Sequence, residues 1–397
     1  MRIMMKRTLS LIVCALSLVW LAPATASPDR AEVLDYLERL QTQSGAPGVS
    51  AAVAVDGQIV FSGGVGQADL EAGTPQNGRT VHNIGSVSKV IAVTAILQLV
   101  EQGKVDLDAE LQRYLPWFPR KDKPITVRHI LTHTSGIRHY KDNEFGEIVK
   151  HYAEFEPATQ FWRDDPLVFE PGSHWMYSSY AVNLIQGIVE SVSGRAFETY
   201  LREQVWIPAG MLSTQFDVPS RVVPRRGRGY LRSQTYPVDV NKPQLQKAPD
   251  EDVSYKYAGG GMIASDEDLC RLGIALNRAQ LLKPETQTAM YKLQLPPGLP
   301  TMPSEFMKKN SPGVLPPSQD KEQALMWWMG KDAAGRPYAG HAGSVKGTQS
   351  MLMNFYKQNV VVAVHFNASG ADVGEAAMSI AQLFMPQLAV PVGRSAK

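Results

Sequence analysis

Ser86 and Lys89 stand three residues apart in Ser86-Val87-Ser88-Lys89, where an apolar run through Ile91, Ile96, Leu97 and Val100 begins. Residues three apart share one helix face, so this spacing predicts a helix with Ser86 at its N-terminus and an amine one turn on. The unpaired backbone N–H groups and positive end of such a helix suit a developing oxyanion. The chemistry would be nucleophilic attack by the serine hydroxyl on a carbonyl, which needs a nearby base. Ser-x-x-Lys by itself also describes an N-cap serine followed by a solvated lysine, so the pair needs a wider constellation.

Other chemistries find little support. The eight histidines include no His-Glu-x-x-His and no close Cys/His cluster, so neither a structural nor a catalytic metal is expected. Cys270 lies among Leu269, Leu272, Ile274 and Leu276, where a thiol behaves as a small buried hydrophobe. Gly259-Gly260-Gly261 lacks both the Gly-Lys-Ser/Thr of a phosphate loop and dinucleotide spacing, and is read as a strand crossing beneath something bulky. No cofactor is implied.

The elements that must position Ser86 come from both ends of the chain. Residues 29–42 place Val33, Leu34, Leu37 and Leu40 at helical spacing. Val49–Val55 and Gln58–Ser62 flank Asp56-Gly57, a two-residue hairpin signal because both turn positions favour positive φ. Gln349–Tyr356 and Asn359–Phe366 read as a second hairpin, followed by a helix over Ala371–Phe384. Between them lie helical patterns at Val87–Gln102, Val127–Leu131, Tyr180–Val192 and Ser265–Leu282. The expected fold is α/β: an antiparallel sheet from both chain ends flanked by helices, with an inserted, mainly helical subdomain over about 105–255. Residues 293–320 hold seven prolines and are expected to form a long surface loop.

Composition bounds the rest. With 44% hydrophobic and 20% charged residues over 397 positions, the chain is globular rather than disordered or fibrous. Arg2, Lys6 and Arg7, an apolar run over Leu9–Leu21 and Ala24-Thr25-Ala26 form a signal-peptide pattern, with cleavage expected after Ala26 and one domain over 27–390. The apolar run is too short to span a bilayer, which takes about 20 residues, so no stable membrane insertion is expected and the mature protein is periplasmic or secreted. Removing three cations from a net charge of +2 leaves about −1, which disfavours nucleic acid as a partner and leaves a small-molecule or peptide substrate. Cys270 is then the only cysteine, so no internal disulfide forms. Oligomeric state is left open.

Three motifs in order resemble the serine β-lactamases and penicillin-binding proteins, in their class C-like branch: Gly85-Ser86-Val87-Ser88-Lys89, Tyr177-Ser178-Ser179 where that family has Tyr-x-Asn, and His341-Ala342-Gly343 where it has Lys-Thr-Gly or His-x-Gly. Ile130–Gly136, Pro171-Gly172-Ser173 and Tyr257–Gly261 look similar too, and the likeness spans roughly residues 30–385. It implies an acyl-enzyme on Ser86, with Lys89 and Tyr177 exchanging protons and His341 lining the site. By the same resemblance, backbone N–H groups of Ser86 and Ser344 hold the oxyanion, while Gly343 and Ser179 border the substrate. Either a neutral Lys89 or a Tyr177 phenolate would serve as base, since both groups in free form are protonated at pH 7. His133 reads as loop scaffolding.

Two departures shape the functional reading. Ser179 replaces an asparagine and cannot both donate and accept as a carboxamide does. His341 replaces a lysine, and a mostly neutral imidazole receives the carboxylate of β-lactams or D-Ala-D-Ala ends poorly. Both changes resemble the family's peptidase and esterase members, and Tyr-Ala-Gly-Gly-Gly and Tyr-Ser-Ser are similar to the mitochondrial β-lactamase-like serine proteases. The expected activity is a peptidase or esterase on small amide, ester or cell-wall-peptide-like substrates. The alternatives are a class C-like β-lactamase or a sensor that binds penicillin or cell-wall peptides without turnover. Arg225, Arg226 and Arg228 read as a solvated surface run and are left outside the site.

Overall fold

The computed structural model describes residues 28–141, 144, 150–232, 245–303, 305–306, 322–345 and 347–385. The expected signal segment, residue 304, residues 307–320 of the proline-rich loop and residues 386–390 lie outside this set.

The frame is one antiparallel sheet of eight strands. Its members are β1 (Gly48–Val55), β2 (Gln58–Asp69), β3 (Thr74–Pro75), β9 (Glu322–Gln323), β10 (Trp328–Lys331), β11 (Pro337–Val345), β12 (Thr348–Phe355) and β13 (Val360–Phe366). They run in the order β3-β2-β1-β13-β12-β11-β10-β9, so strands from the two chain ends meet at β1 and β13, with Val53 opposite Val362. The β1–β2 turn has Asp56 at φ 51° and Gly57 at φ 75°, the two left-handed residues a tight hairpin needs. Short strands β4 (His82–Asn83), β5 (Gln215–Phe216) and β8 (Met262–Ala264) form a second sheet, and β6 (Tyr230–Arg232) pairs with β7 (Leu245–Lys247).

Both faces of the large sheet are covered, which explains why β1 and β13 are apolar at nearly every position rather than alternating. Val49, Ala51, Val53, Val362 and Val364 pack against α1 (Arg30–Ser44) and the C-terminal helix Val373–Phe384. Ala52, Ala54, Val361 and Ala363 face the other core, which holds α2 (Ser88–Glu101) and the helix Asp266–Asn277. Helix α2 is apolar all round and buried over most of its length, so Lys89 enters the core with it.

The inserted part carries helices at Val127–Leu131, α3 (Ser179–Ser193) and Phe197–Leu201. Prolines 116, 119, 124, 157, 166 and 171 keep the chain ahead of α3 irregular. Gly259-Gly260-Gly261 differs from the expected strand: Tyr257–Gly260 is a helical turn. Close approach is the reason for glycine there, because a Cβ on Gly259 would come within 2.4 Å of Asn183 Oδ1. Among the described residues no helix is long and apolar enough to cross a membrane.

Candidate active site

The candidate nucleophile, Ser86, is presented by a short 3-10 turn, Gly85–Val87, that runs directly into α2. Gly85 has φ 48°, and a Cβ there would stand 2.7 Å from the backbone nitrogen of Ser344. Gly343 is packed more tightly still, since its Cβ would fall 1.9 Å from the Ile84 carbonyl oxygen. These two glycines let β11 press edge-on against the nucleophile turn, bringing the Ser344 amide beside the Gly85–Ser86 peptide. Gly343 therefore acts as a spacer-free contact between strand and turn. Ser350 Oγ donates to the Ile84 carbonyl at 3.0 Å and His365 Nε2 lies 3.0 Å from the Asn83 carbonyl, fixing the turn from beneath.

Ser86 is half-buried and Lys89 is wholly buried. Lys89 Nζ lies 3.0 Å from Ser86 Oγ, 3.0 Å from Ser179 Oγ, and in hydrogen-bond contact with the Gly259 carbonyl oxygen. Burial, then the nearby Lys256 ammonium, hold the Lys89 amine well below the ordinary lysine range. A neutral amine has two N–H donors and one lone pair. Gly259 and Ser179 accept the two protons, which leaves the lone pair facing the Ser86 hydroxyl.

Tyr177 arrives on the loop before α3. Its hydroxyl hydrogen-bonds both Ser86 and Ser179, and its ring lies 4.9 Å from Lys89 Nζ. Burial pushes its phenol far above the ordinary value. The sequence leaves Lys89 and Tyr177 open as bases; this environment disfavours both charged forms, leaving a neutral amine beside the Ser86 hydroxyl and a protonated phenol.

Ser179 is buried rather than bordering an open cleft. Its N–H donates to His139 Nδ1 at 2.9 Å, and its hydroxyl bonds Tyr140 as well as Tyr177. His133 supports the same loop: Nδ1 accepts from the Ser178 N–H at 3.3 Å, and its ring lies 4.3 Å from that of Tyr177. His341 is fully buried on β11, with Nδ1 2.7 Å from the Ala342 carbonyl oxygen and its ring stacked on Trp328 at 4.5 Å. Burial pushes its imidazole down to about 3.

Three contributors escaped the sequence reading: His139, Tyr140 and the Gly259 carbonyl. Only the likeness of Tyr257–Gly261 to a family segment hinted at the last. The arginine run also belongs nearer the site than its pattern suggested. A cavity of about 320 Å³ opens beside Val345, the residue after Ser344, and is lined by Asn83, Asp217, Arg226, Arg228 and Asp250 among others. Arg226 is locked to Asp217 at 2.7 and 3.0 Å, whereas Arg228 is only loosely held, 3.3 Å from Asp250 and 3.7 Å from Asp69. Arg225 turns away to the Arg79 carbonyl and Ser213.

Known proteins are similar to this chain in sequence or in fold. Human "Serine beta-lactamase-like protein LACTB, mitochondrial" is 28% identical over 402 aligned positions, covering 80% of this chain and 70% of its own. "Esterase EstB" of Burkholderia gladioli is 31% identical, covering 60% of this chain and 68% of its own. Among solved structures, the octameric penicillin-binding protein homologue from Pyrococcus abyssi superposes with a TM-score of 0.73 at 23% identity, over 89% of this chain and 77% of its own. D-amino acid amidase from Ochrobactrum anthropi does so at 0.72 and 20% identity, over 89% and 97%. The sequence matches the family described as Beta-lactamase over residues 33–384. With Ser86, Lys89 and Tyr177 gathered at one place on that fold, the chain belongs to the beta-lactamase family and is a serine hydrolase of the β-lactamase and penicillin-binding-protein kind.

Proposed function

We propose that the protein is an exported peptidase or esterase that works through an acyl-enzyme on Ser86 and favours substrates without a carboxylate next to the scissile bond. The observation that carries the reading is His341. At the strand position where a cation would receive that carboxylate, the ring is buried, stacked on Trp328 and neutral throughout the physiological range. A neutral ring there gives an anionic group no charge to offset its lost hydration. The likeness to a protein named as an esterase supports ester or amide cleavage. The basic, apolar and small-residue pattern over 1–26 supports export.

Acylation starts when the Lys89 lone pair takes the Ser86 proton as Oγ attacks the carbonyl. The Ser86 and Ser344 amides receive the developing oxyanion, a type of contact worth about 10²- to 10³-fold in rate per donor. As the tetrahedral intermediate collapses, Tyr177 passes its phenolic proton to the departing amine or alcohol. Water then attacks the acyl-enzyme and releases the acid.

Intact-mass measurement tests this. The mature protein is treated with a fluorophosphonate and, separately, with a penicillin, alongside Ser86→Ala. The expected result is a Ser86-dependent fluorophosphonate adduct, with neither a lasting penicillin adduct nor penicillin hydrolysis. A stable penicilloyl adduct would replace the proposal with a penicillin-binding protein or sensor, rapid penicillin loss with a β-lactamase, and no labelling of folded protein would end the enzyme reading. The N-terminal residue of the exported product, expected to be Ser27, tests the signal.

A further inference from the structure

In the proposed mechanism the leaving group departs within reach of the Tyr177 hydroxyl, and apolar side chains gather around that place. Trp175, Met176 and Tyr177 are buried, and against them pack Phe169, Leu295, Leu299, Met302 and Trp328, all of which stay half-exposed. Half-exposed apolar side chains collected at one place, rather than scattered singly, mark a binding surface. Leu295, Leu299 and Met302 belong to the proline-rich segment, to which the mechanism assigns no part.

Two sets of contacts fix this wall beside the reaction centre. Trp175 N–H donates to the Pro300 carbonyl at 2.9 Å and Met302 N–H to the Trp175 carbonyl at 3.0 Å, so residues 300–302 run parallel to the stretch that leads into Tyr177. Pro296, Pro297, Pro300 and Pro303 each fix their φ, which holds the segment in one shape before substrate arrives. From the other side comes Trp328, on β10 opposite Gly340 of β11, with its indole stacked on His341 at 4.5 Å. Strand β10 pairs with β11 over 337–340, so the wall stands where His341 begins the part of β11 that β10 does not cover. The polar cavity opens at the Val345 end of the same strand, roughly 13 Å away at about 3.3 Å per residue. The Ser344 amide lies between the two. A carbonyl held there has one substituent towards the apolar wall and the other towards the cavity, and Tyr177 is on the side of the wall.

We propose that Trp328, Leu299 and Met302 form the leaving-group subsite, and that it takes apolar alcohols or amines, aliphatic or aromatic. The inference rests on the acyl-enzyme reading above and names the substrate class of that same site. The chemical step keeps its balance: Lys89 takes the Ser86 proton, Oγ bonds to the carbonyl carbon, the bond from that carbon to the leaving oxygen or nitrogen breaks, and Tyr177 protonates the departing atom. The apolar chain of the leaving group lies against the wall throughout. Selection here comes from covered hydrocarbon rather than charge, which agrees with a buried His341 offering no cation. A methylene wholly removed from water gains about fourfold, and one covered on a single side, with about half the free energy, about twofold.

Two ester series test the subsite. Acetate esters of ethanol, butanol and hexanol share one acyl group and leaving groups of nearly equal basicity, so their kcat/KM values report how the alcohol chain is bound. Four added methylenes should raise kcat/KM about 15-fold from ethyl to hexyl acetate in the wild type. Ethyl acetate, butyrate and hexanoate lengthen the acyl side instead, and this series should rise less steeply. Replacing both Leu299→Ser and Met302→Ser should flatten the alcohol series to within about threefold, whereas Leu299→Met with Met302→Leu, which keeps the apolar volume, should preserve its slope. Thermal melting and the fraction of Ser86 labelled by a fluorophosphonate establish that each variant is folded, and Trp328→Ser gives an independent reading of the slope. A flat alcohol series in the wild type would overturn the subsite, as would an acyl series steeper than the alcohol series. So would folded serine variants that keep the wild-type slope, or a wild type that labels at Ser86 yet does not turn over hexyl acetate. If wild type fails to label at Ser86, the acyl-enzyme reading itself has failed.

Discussion

The neutral state of Lys89 has a measurable signature in the pH dependence of Ser86 labelling. An ordinary lysine, with a pKa of about 10.4, is neutral in only about one molecule in 2,500 at pH 7, and that fraction rises tenfold with each pH unit. If the base were such a lysine, the labelling rate would climb about a hundredfold from pH 7 to 9. Here burial and Lys256 hold the amine well below that range, and Gly259 and Ser179 accept both its protons. The rate should level off early, so the gain from pH 7 to 9 falls well short of a hundredfold. Stability gives a second reading with a defined sign. In the unfolded chain the amine is protonated up to about pH 10.4, whereas in the fold it loses its proton at lower pH. Between those limits the unfolded state binds more protons, and Lys89 makes the native state gain about 1.4 kcal/mol per pH unit as pH rises. Below the folded value the term is flat. Urea unfolding of wild type and Lys89→Met from pH 6 to 9.5 isolates this slope as the difference between the two proteins, and the methionine chain abolishes labelling. A labelling rate that keeps rising tenfold per unit through pH 9, or a pH-independent stability difference over that range, would refute a neutral Lys89.

Gly343→Ala should lower Ser86 labelling at least 100-fold while Ser86 and Lys89 remain, because its Cβ would stand 1.9 Å from the Ile84 oxygen and must push the Ser344 amide away; labelling rate and melting temperature together report it. His341→Gln should leave kcat/KM within about tenfold and the acid limb of the pH profile unmoved, since burial keeps this ring neutral down to about pH 3; an acid limb near pH 6.5 that vanishes in the variant would contradict this. Arg228→Gln, which removes a loosely held guanidinium from the cavity beside Val345, should lower kcat/KM for an ester carrying a remote anionic group by about tenfold relative to its isosteric neutral counterpart, the low end for a hydrogen bond to a charged group. The ratio of kcat/KM values for a matched ester pair checks it.

What was legible in the sequence was local. Asp56-Gly57 announced its hairpin because positive φ at two successive residues is a property of those residues, and Ser86 and Lys89 were readable because helix geometry places them together. The outer elements were legible by periodicity, since α1 and the C-terminal helix each bury a single stripe. The missed features depend on distant chain. The Gly259 carbonyl meets Lys89 across 170 residues, and His139 meets Ser179 across 40, contacts that no spacing rule encodes. The glycine run reads as a strand in sequence, yet close backbone approach is equally a reason for glycine in a helical turn. Arg226 looked solvated because Asp217, which fixes it, is a partner only in the fold. The proline-rich segment read as loop, and its first part is loop. Yet it is bound: Trp175 N–H donates to the Pro300 carbonyl at 2.9 Å and Met302 N–H to the Trp175 carbonyl at 3.0 Å, two residues from Tyr177.

The meeting of β1 with β13 also governs when the protein can become active. Ribosomes add about 5–20 residues per second, so Ser86 and Lys89 are made tens of seconds before Ser344 exists. Helix α2 can form early, but it lacks its second oxyanion amide, and β1 lacks its neighbour, until the last strands emerge. A nascent or truncated chain therefore carries the nucleophile without the means to use it. Pairing across so long a separation also slows folding. On the proposed mechanism acylation waits for β11, so labelling by a fluorophosphonate becomes a timer for completed folding: the moment of labelling marks closure of the sheet.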